Sequence, residues 1–194
     1  MPPSGMRVPH CLRSASRTRK PLLRRRSRGT GSVTETAFSI ALKFILRHEG
    51  GYVNDPHDPG GETNMGISKR AYPHLPIALL SREEVESIYR QDYWIKAGCD
   101  RLPNGLAITV FDTAVNQGIN AAVYLLQRVV AVSTDAIIGS KTLAAVAAQD
   151  SKDLITRYCG QRLLRYVATP GFEHYGRGWF HRVLECHTLA QGVA

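Results

Sequence analysis

The sequence predicts an all-α domain with a glycine-rich loop or a short β-hairpin after its first helix. Apolar residues recur at helical spacing in six or seven segments, whereas turn-forming residues concentrate in one stretch, residues 50–68. No apolar run approaches the roughly 20 residues that a membrane-spanning helix requires. The chain has 194 residues, of which 43% are hydrophobic and 21% charged, so it is long enough for one globular domain with a substantial core.

The first helix is predicted to begin near Thr36 and to end at Gly50-Gly51, because glycine commonly follows the last helical turn. One apolar stripe runs along it: Phe38, Ala41, Leu42 and Ile45. Glu49 therefore belongs to the last turn. Neighbouring helical residues point about 100° apart, so we expect Arg47 and His48 to face away from the Glu49 carboxylate.

Residues 50–68 contain five glycines and two prolines, a composition that excludes a helix and favours turns or a hairpin. The next helix is predicted to start with a capping box, with Ser81 as the N-cap and Glu84 at the third helical position, and to reach about Lys96.

Five further helices follow from the apolar spacing. The first covers about residues 106–117, and Asn120 is expected to cap the second. A short helix over about residues 142–148 precedes one capped by Ser151. The last helix is predicted to start near Gly178.

The positive charge of the chain lies in its N-terminal segment. Residues 1–32 hold nine basic residues and no acidic ones, whereas residues 33–194 hold 16 of each. We predict that residues 1–33 form a disordered, Arg-rich tail, since they contain too few apolar residues to form a core. One interpretation is that the tail attracts a polyanion. The other is that it has no function and results from a translation start placed too far upstream. The neutral body argues against a specific nucleic-acid interface, so a DNA-binding function would depend on the tail alone.

Cysteine and histidine spacing indicates neither a metal site nor a cofactor. The four cysteines form no C-x-x-C pair, and we interpret them as reduced thiols, with a Cys159–Cys186 bond left open. The Asn54–Gly60 segment is rich in oxygen ligands, but it lacks the calcium-loop pattern and is typical of tight turns.

A pair of carboxylates near the glycine-rich loop suggests glycoside hydrolysis. That reaction needs one protonated acid and a second, anionic carboxylate. Glu49 is the candidate acid and Asp58 its candidate partner, with Asp55 and Glu62 as alternatives. The neighbouring Thr63 and Asn64 could hold a water molecule.

Two polar residues further along are candidates for binding a saccharide. Asp112 and Asn116 are separated by one helical turn and share a helix face. Either this face lines a sugar cleft, or the two residues form a buried hydrogen-bonded pair. The ring of Tyr52 could stack on a sugar.

The segment HEGGYVNDPHDPGGETNMGISKRAYP resembles the opening of the glycoside hydrolase family 108 muramidases, which include phage endolysins and secretion-associated lysozymes. The likeness continues through REEVESIYRQDYW, LPNGLAITVFDTAVNQG and GRGWFHR, and covers about residues 35–185. It implies a lysozyme-like fold, with Glu49 as the catalytic residue.

The same segment is similar to the opening of phage lysozymes more broadly, with Glu49, Asp58 and Gly66-Ile67 in register. The position of the lysozyme threonine is occupied by Asn64, next to Thr63. The resemblance thus implies that Glu49, Asp58 and Thr63 are catalytic. We take Tyr52, Asn64, Asp112 and Asn116 as substrate-binding candidates.

Residues 132–143 are similar to the D-G-x-x-G-x-x-T signature of small peptidoglycan-binding modules, with Ala136 in place of the first glycine. A plain turn at Gly139 between two helices is the alternative interpretation. We therefore expect a muramidase catalytic region over residues 34–118. A peptidoglycan-binding-like region over residues 119–190 would pack in the same globule.

The resemblance implies a hydrolase of the β-1,4 bond between N-acetylmuramic acid and N-acetylglucosamine in peptidoglycan. A non-catalytic peptidoglycan-binding module is the alternative. No apolar segment of a secretory signal follows the tail arginines. We therefore expect a monomer made in the bacterial cytoplasm that reaches the periplasm or wall through a holin or an export machinery, without a cofactor, metal or specific nucleic acid.

Overall fold

The structure is a computed structural model that describes residues 33–54 and 61–194, and it confirms the all-α fold with a short hairpin after the first helix. The expected tail, residues 1–33, lies almost entirely outside the described residues. Helix α1 spans Val33–Glu49. It is followed by a two-stranded antiparallel hairpin of β1, Thr63–Asn64, and β2, Ile67–Ser68. None of the described helices is long and apolar enough to cross a membrane.

Helix α2, Arg82–Tyr89, begins with the predicted capping box. The Ser81 side chain accepts a hydrogen bond from the backbone N–H of Glu84, and the Glu84 side chain accepts one from the backbone N–H of Ser81. The helix continues as a π-helical segment, Arg90–Ile95. Single 3-10 turns at Ile77–Leu79 and Cys99–Arg101 flank this unit.

The remaining helices are α3 to α7, and their bounds are Asn104–Gln117, Ile119–Val129, Ser140–Ala147, Ser151–Val167 and Phe172–Gln191. Helix α3 is central and contacts α1, α4, α6 and α7. Ten consecutive residues of α3, 105–114, are buried, so the helix is enclosed on all sides and is not amphipathic.

Three boundaries differ from the sequence predictions. Gly118, not Asn120, precedes α4, because the chain turns at Gly118 and re-enters a helix at once. Asp150, not Ser151, caps α6 by accepting from the backbone N–H of Asp153. Helix α7 starts six residues before Gly178, at Phe172. Gly176 lies inside the helix, where a Cβ would be 2.5 Å from the Phe172 ring.

Buried apolar side chains from both predicted regions form one continuous core, which extends from Ala37 to Ala190. Its centre below α1 is an aromatic cluster in which Trp94 lies edge-on to Phe38 and Phe111, at centroid distances of 5.3 and 5.2 Å. Cys99, Cys159 and Cys186 are buried and free, so the Cys159–Cys186 bond left open by the sequence does not form. The aromatic cluster of Phe38, Trp94 and Phe111 packs α1 against α3, which places the end of α1 against α7.

Candidate active site

Glu49 is the last residue of α1, and Gly50 directly after it adopts a left-handed conformation with φ of 77°. This backbone ends the helix as the sequence predicts. The Glu49 side chain is 14% exposed. The carboxylate therefore lies at the boundary between the core and the solvent.

The cation that binds Glu49 comes from helix α7. Nη1 of Arg182 donates a 2.8 Å hydrogen bond to Oε1 of Glu49. The guanidinium also donates from Nε and Nη2 to Oδ1 of Asp112, at 2.9 and 2.8 Å. Arg182 is not among the site residues predicted from the sequence, although it ends GRGWFHR, one of the segments that carry the resemblance.

Asp112 lies beneath this contact and is 1% exposed. Its second oxygen, Oδ2, accepts a 2.5 Å hydrogen bond from Nη1 of the fully buried Arg162. Burial by itself would raise the pKa of Asp112, but the guanidinium groups of Arg162 and Arg182 outweigh it and lower the pKa to about 2. Asp112 is thus a buried anion with both oxygens engaged. One interpretation of its spacing placed it in a sugar cleft, but it does not face one.

Asn116, one turn after Asp112, is partly buried. Its Oδ1 accepts a hydrogen bond from the hydroxyl of Tyr166 on α6. The Tyr166 ring stacks on Trp179 of α7, with centroids 4.8 Å apart. The shared face of Asp112 and Asn116 therefore meets α6 and α7, which favours the buried-pair interpretation of the two.

The hairpin turn lies against Glu49. Met65 and Gly66 both have positive φ, 48° and 81°, as a two-residue type I′ turn requires. The hydroxyl of Tyr89 donates a 3.0 Å hydrogen bond to the carbonyl of Met65. A Cβ on Gly66 would lie 2.3 Å from the Tyr89 oxygen and 3.0 Å from Cγ of Glu49, so only glycine fits at this position.

The other predicted loop residues build the hairpin. Val53 and Thr63 pair through two 2.8 Å backbone hydrogen bonds, and the Thr63 hydroxyl donates to the carbonyl of Gly61 at 3.4 Å. Asn64 is buried, and its Nδ2 donates to the carbonyl of Ile77 at 3.1 Å, which ties the hairpin to the following segment.

Tyr52 is 49% exposed, and its hydroxyl donates a 3.0 Å hydrogen bond to Oε1 of Glu62. Asp58 and Asp55, the candidate partners of Glu49, lie outside the described residues. Of the three candidate second carboxylates, the structure therefore places Glu62 only.

Arg47 and His48, the basic residues that precede Glu49 in the chain, lie close to Glu185 of α7. Nη2 of Arg47 lies 3.5 Å and Nε2 of His48 lies 2.8 Å from Oε2 of Glu185. The His48 contact has the distance of an ion pair but not the alignment of a hydrogen bond. Burial, and then the charge of Arg182, lower the pKa of His48. Because a lower pKa disfavours protonation, His48 is a neutral neighbour of Glu49 at pH 7.

A groove of about 690 Å³ lies on the surface between α4, α6 and α7, but none of its lining residues is a predicted site residue. No group of three or more potential metal ligands occurs among the described residues. Among the described residues, the groups that meet at the end of α1 are the Glu49 carboxylate, the Arg182 guanidinium and the hairpin turn.

Two family models match the chain. Residues 42–118 match the family described as glycosyl hydrolase 108, and residues 121–184 match one described as a predicted peptidoglycan domain. Among solved structures, the chain is similar to SagA from Brucella abortus, with 35% sequence identity and a TM-score of 0.74. The alignment covers 82% of this chain and 96% of the SagA chain. No curated protein gives a significant match.

The first matched segment contains Glu49 and the hairpin, and the second contains Arg182. The alignment with SagA extends across both matched segments. The chain therefore belongs to glycosyl hydrolase family 108 and is a peptidoglycan-active glycoside hydrolase.

Proposed function

We propose that the enzyme cleaves the β-1,4 bond between N-acetylmuramic acid and N-acetylglucosamine, with Glu49 as the general acid. The observation that carries the proposal is the state of the Glu49 carboxylate. Oε1 is held by Arg182, whereas Oε2 has no hydrogen-bond partner among the described residues. One oxygen is thus oriented, and the other can meet a substrate.

A general acid must deliver a proton to the leaving glycosidic oxygen. Because Oε1 accepts a hydrogen bond from Arg182, the proton of the neutral acid belongs on Oε2. The 14% exposure of the side chain allows contact with a bound sugar while limiting contact with bulk water. The carboxylate geometry therefore suits a donor that acts from one oxygen.

The second catalytic carboxylate in this proposal is Asp58, with Asp55 and Glu62 as alternatives, and Thr63 helps to hold the water molecule. The Val53–Thr63 pairing supports this arrangement, because it joins the two chain segments that flank residues 55–60. Glu62 is the weaker alternative, since it already accepts a hydrogen bond from Tyr52.

For substrate binding, Tyr52 is the strongest of the predicted residues, because half of its surface is open to solvent and its ring can stack on a sugar. Nδ2 of Asn116 has no hydrogen-bond partner in the described part of the chain, so it is the second candidate. Asn64 and Asp112 have their polar groups engaged inside the protein and serve as framework.

We propose a role in phage lysis or in passage through the cell wall, with a holin or an export machinery as the route to the substrate. The peptidoglycan domain matched over residues 121–184 supports action at the wall. Of the two function classes considered from the sequence, the family assignment supports the enzyme over the non-catalytic module.

The test compares Glu49→Gln with Glu83→Gln, which makes the same chemical change on the exposed face of α2. We expect Glu49→Gln to remain folded, with a lower melting temperature because Arg182 loses its ion-pair partner. At a temperature where it is folded, it should lose at least about 10²-fold in the rate of wall hydrolysis, because the amide has no proton to donate. Glu83→Gln should hydrolyse walls at the wild-type rate. A Glu49→Gln variant with full activity would contradict the assignment.

The bond is tested on the products. Borohydride reduction of digested peptidoglycan, followed by mass spectrometry, labels the sugar at each new reducing end. Reduced muramic acid is the expected product, and reduced glucosamine would show that the other glycosidic bond is cut.

A further inference from the structure

We infer that Arg182 is a positioning residue for Glu49, and that the C-terminal region therefore completes the active site in addition to any binding of the wall. The inference rests on the proposed role of Glu49. Arg182 lies within residues 121–184, the segment matched as a peptidoglycan domain, whereas Glu49 lies within the hydrolase segment.

The first support is the geometry of the guanidinium. It is a rigid planar fork, and two of its nitrogens bind Oδ1 of Asp112 while the third binds Oε1 of Glu49. Fixing the fork on Asp112 thus fixes the direction from which Glu49 receives its hydrogen bond. A lysine ammonium has no planar fork and could not impose this relation.

The second support is the anchoring of the fork. Arg182 is 6% exposed, and Asp112 is held from its other side by the fully buried Arg162. Rotating Arg182 away from Glu49 would also disturb a buried ion pair, which is costly in a medium that solvates charges poorly. The orientation of the Arg182 side chain is therefore set before any substrate binds.

The third support is the charge balance. Arg162 by itself would neutralise Asp112, so the second buried guanidinium needs a second carboxylate. Glu49 supplies it and is the member of this four-residue cluster with the greatest side-chain exposure. With Glu49 ionised the cluster is neutral as a whole, and its most exposed group lies at the proposed reaction site.

These contacts give Arg182 a specific role. It holds Oε1 and leaves Oε2 to carry and transfer the proton. Loss of the guanidinium would let the carboxylate rotate, and misplacement of a catalytic group by about 1 Å can cost 10²-fold in rate.

The test uses the full chain and compares Arg182→Met with Arg162→Met. Each variant removes one guanidinium from Asp112, but only Arg182 touches Glu49. Both should lower the melting temperature. On soluble, uncrosslinked glycan strands, at a temperature where circular dichroism shows both variants folded, Arg182→Met should lower kcat by about 10²-fold with little change in KM. Arg162→Met should lower kcat far less, and equal losses in the two variants would overturn the inference.

A double mutant separates positioning from general damage. In the Glu49→Gln background, Arg182→Met should cause no further loss of kcat, because Arg182 acts through a group that is already disabled. A merely structural role predicts the same fractional loss in both backgrounds, which would overturn the inference. If Arg182→Met fails to fold, Arg182→Lys takes its place, because it keeps the charge but not the planar fork. A wild-type kcat in Arg182→Lys would also overturn the inference.

The outcomes also distinguish this inference from the proposed function. An active Glu49→Gln variant would refute the role of Glu49 itself. An inactive Glu49→Gln variant beside a fully active Arg182→Met variant would refute only the positioning role of Arg182.

Discussion

The hydroxyl of Tyr89 donates a 3.0 Å hydrogen bond to the carbonyl of Met65 and so fixes the hairpin turn beside Glu49. Tyr89 is almost completely buried and lies at the end of α2, where α2 meets the π-helical segment. Burial first, and then the charge of Glu49, raise the pKa of Tyr89 well above its usual value. The tyrosine is therefore a neutral hydrogen-bond donor at pH 7.

Removing that donor should loosen the turn. Tyr89→Phe deletes one buried hydrogen bond, so we expect about 1 kcal/mol lower stability and reduced wall hydrolysis. Tyr158→Phe is the matched control, since its buried hydroxyl donates at 3.1 Å to the carbonyl of Ala122 on α4 and not to the hairpin turn. Urea unfolding should show similar losses in the two variants, whereas hydrolysis should fall only in Tyr89→Phe. Equal activities would contradict a role for the turn.

Gly66→Ala should be more damaging than Gly61→Ala. Both glycines have positive φ, 81° and 67°, so each alanine costs about 1–2 kcal/mol in backbone strain. At Gly61 the new methyl group would be 3.8 Å from the nearest atom, whereas at Gly66 it would lie 2.3 Å from the Tyr89 oxygen. Overpacking adds about 1–3 kcal/mol at Gly66 alone, which thermal unfolding can resolve. Wall hydrolysis should be lost in Gly66→Ala and kept in Gly61→Ala; the reverse order would exclude the turn as part of the site.

Asp112 should make stability depend on pH in the acid range. Its pKa falls from 3.8 in the unfolded chain to about 2 in the folded protein, so its contribution is complete above about pH 4 and is lost as the pH falls through 2. The linked free energy is about 2 kcal/mol. Urea unfolding between pH 5 and pH 2 measures it.

Asp112→Asn provides the comparison. It should lower stability at pH 7 by about 3–5 kcal/mol, because two buried guanidinium groups lose their shared anion, and it should flatten the acid dependence. Asp100→Asn removes an exposed carboxylate and should retain the wild-type slope. An unchanged slope in Asp112→Asn would show that other carboxylates govern acid unfolding.

The Arg-rich N-terminal segment should be dispensable for hydrolysis. Residues 33–194 carry equal numbers of acidic and basic residues, so deletion of residues 1–32 is expected to leave wall-lytic activity within about threefold at moderate salt. Turbidity loss of purified walls over a series of salt concentrations is the measurement. A large loss that is confined to low salt would show that the tail delivers the enzyme to its polyanionic substrate.

The sequence by itself determined the features that depend on neighbouring residues. The end of α1 at Gly50 and the capping box at Ser81 follow from local backbone preferences and short-range hydrogen bonds, and both occur as predicted. The resemblance carried by residues 48–73 likewise identified the family, because a long motif is specific without knowledge of its folded contacts.

Only the tertiary structure decided which groups meet Glu49. Spacing shows that Asp112 and Asn116 share a helix face, but it does not show that this face meets α6 and α7 and not solvent. Arg182 lies 133 residues from Glu49, and a contact at that separation depends on how α7 packs across α3. Helix packing is set by the whole core, so the sequence around Arg182 does not show which carboxylate it contacts. The nearby Arg47 and His48 lie against Glu185 instead.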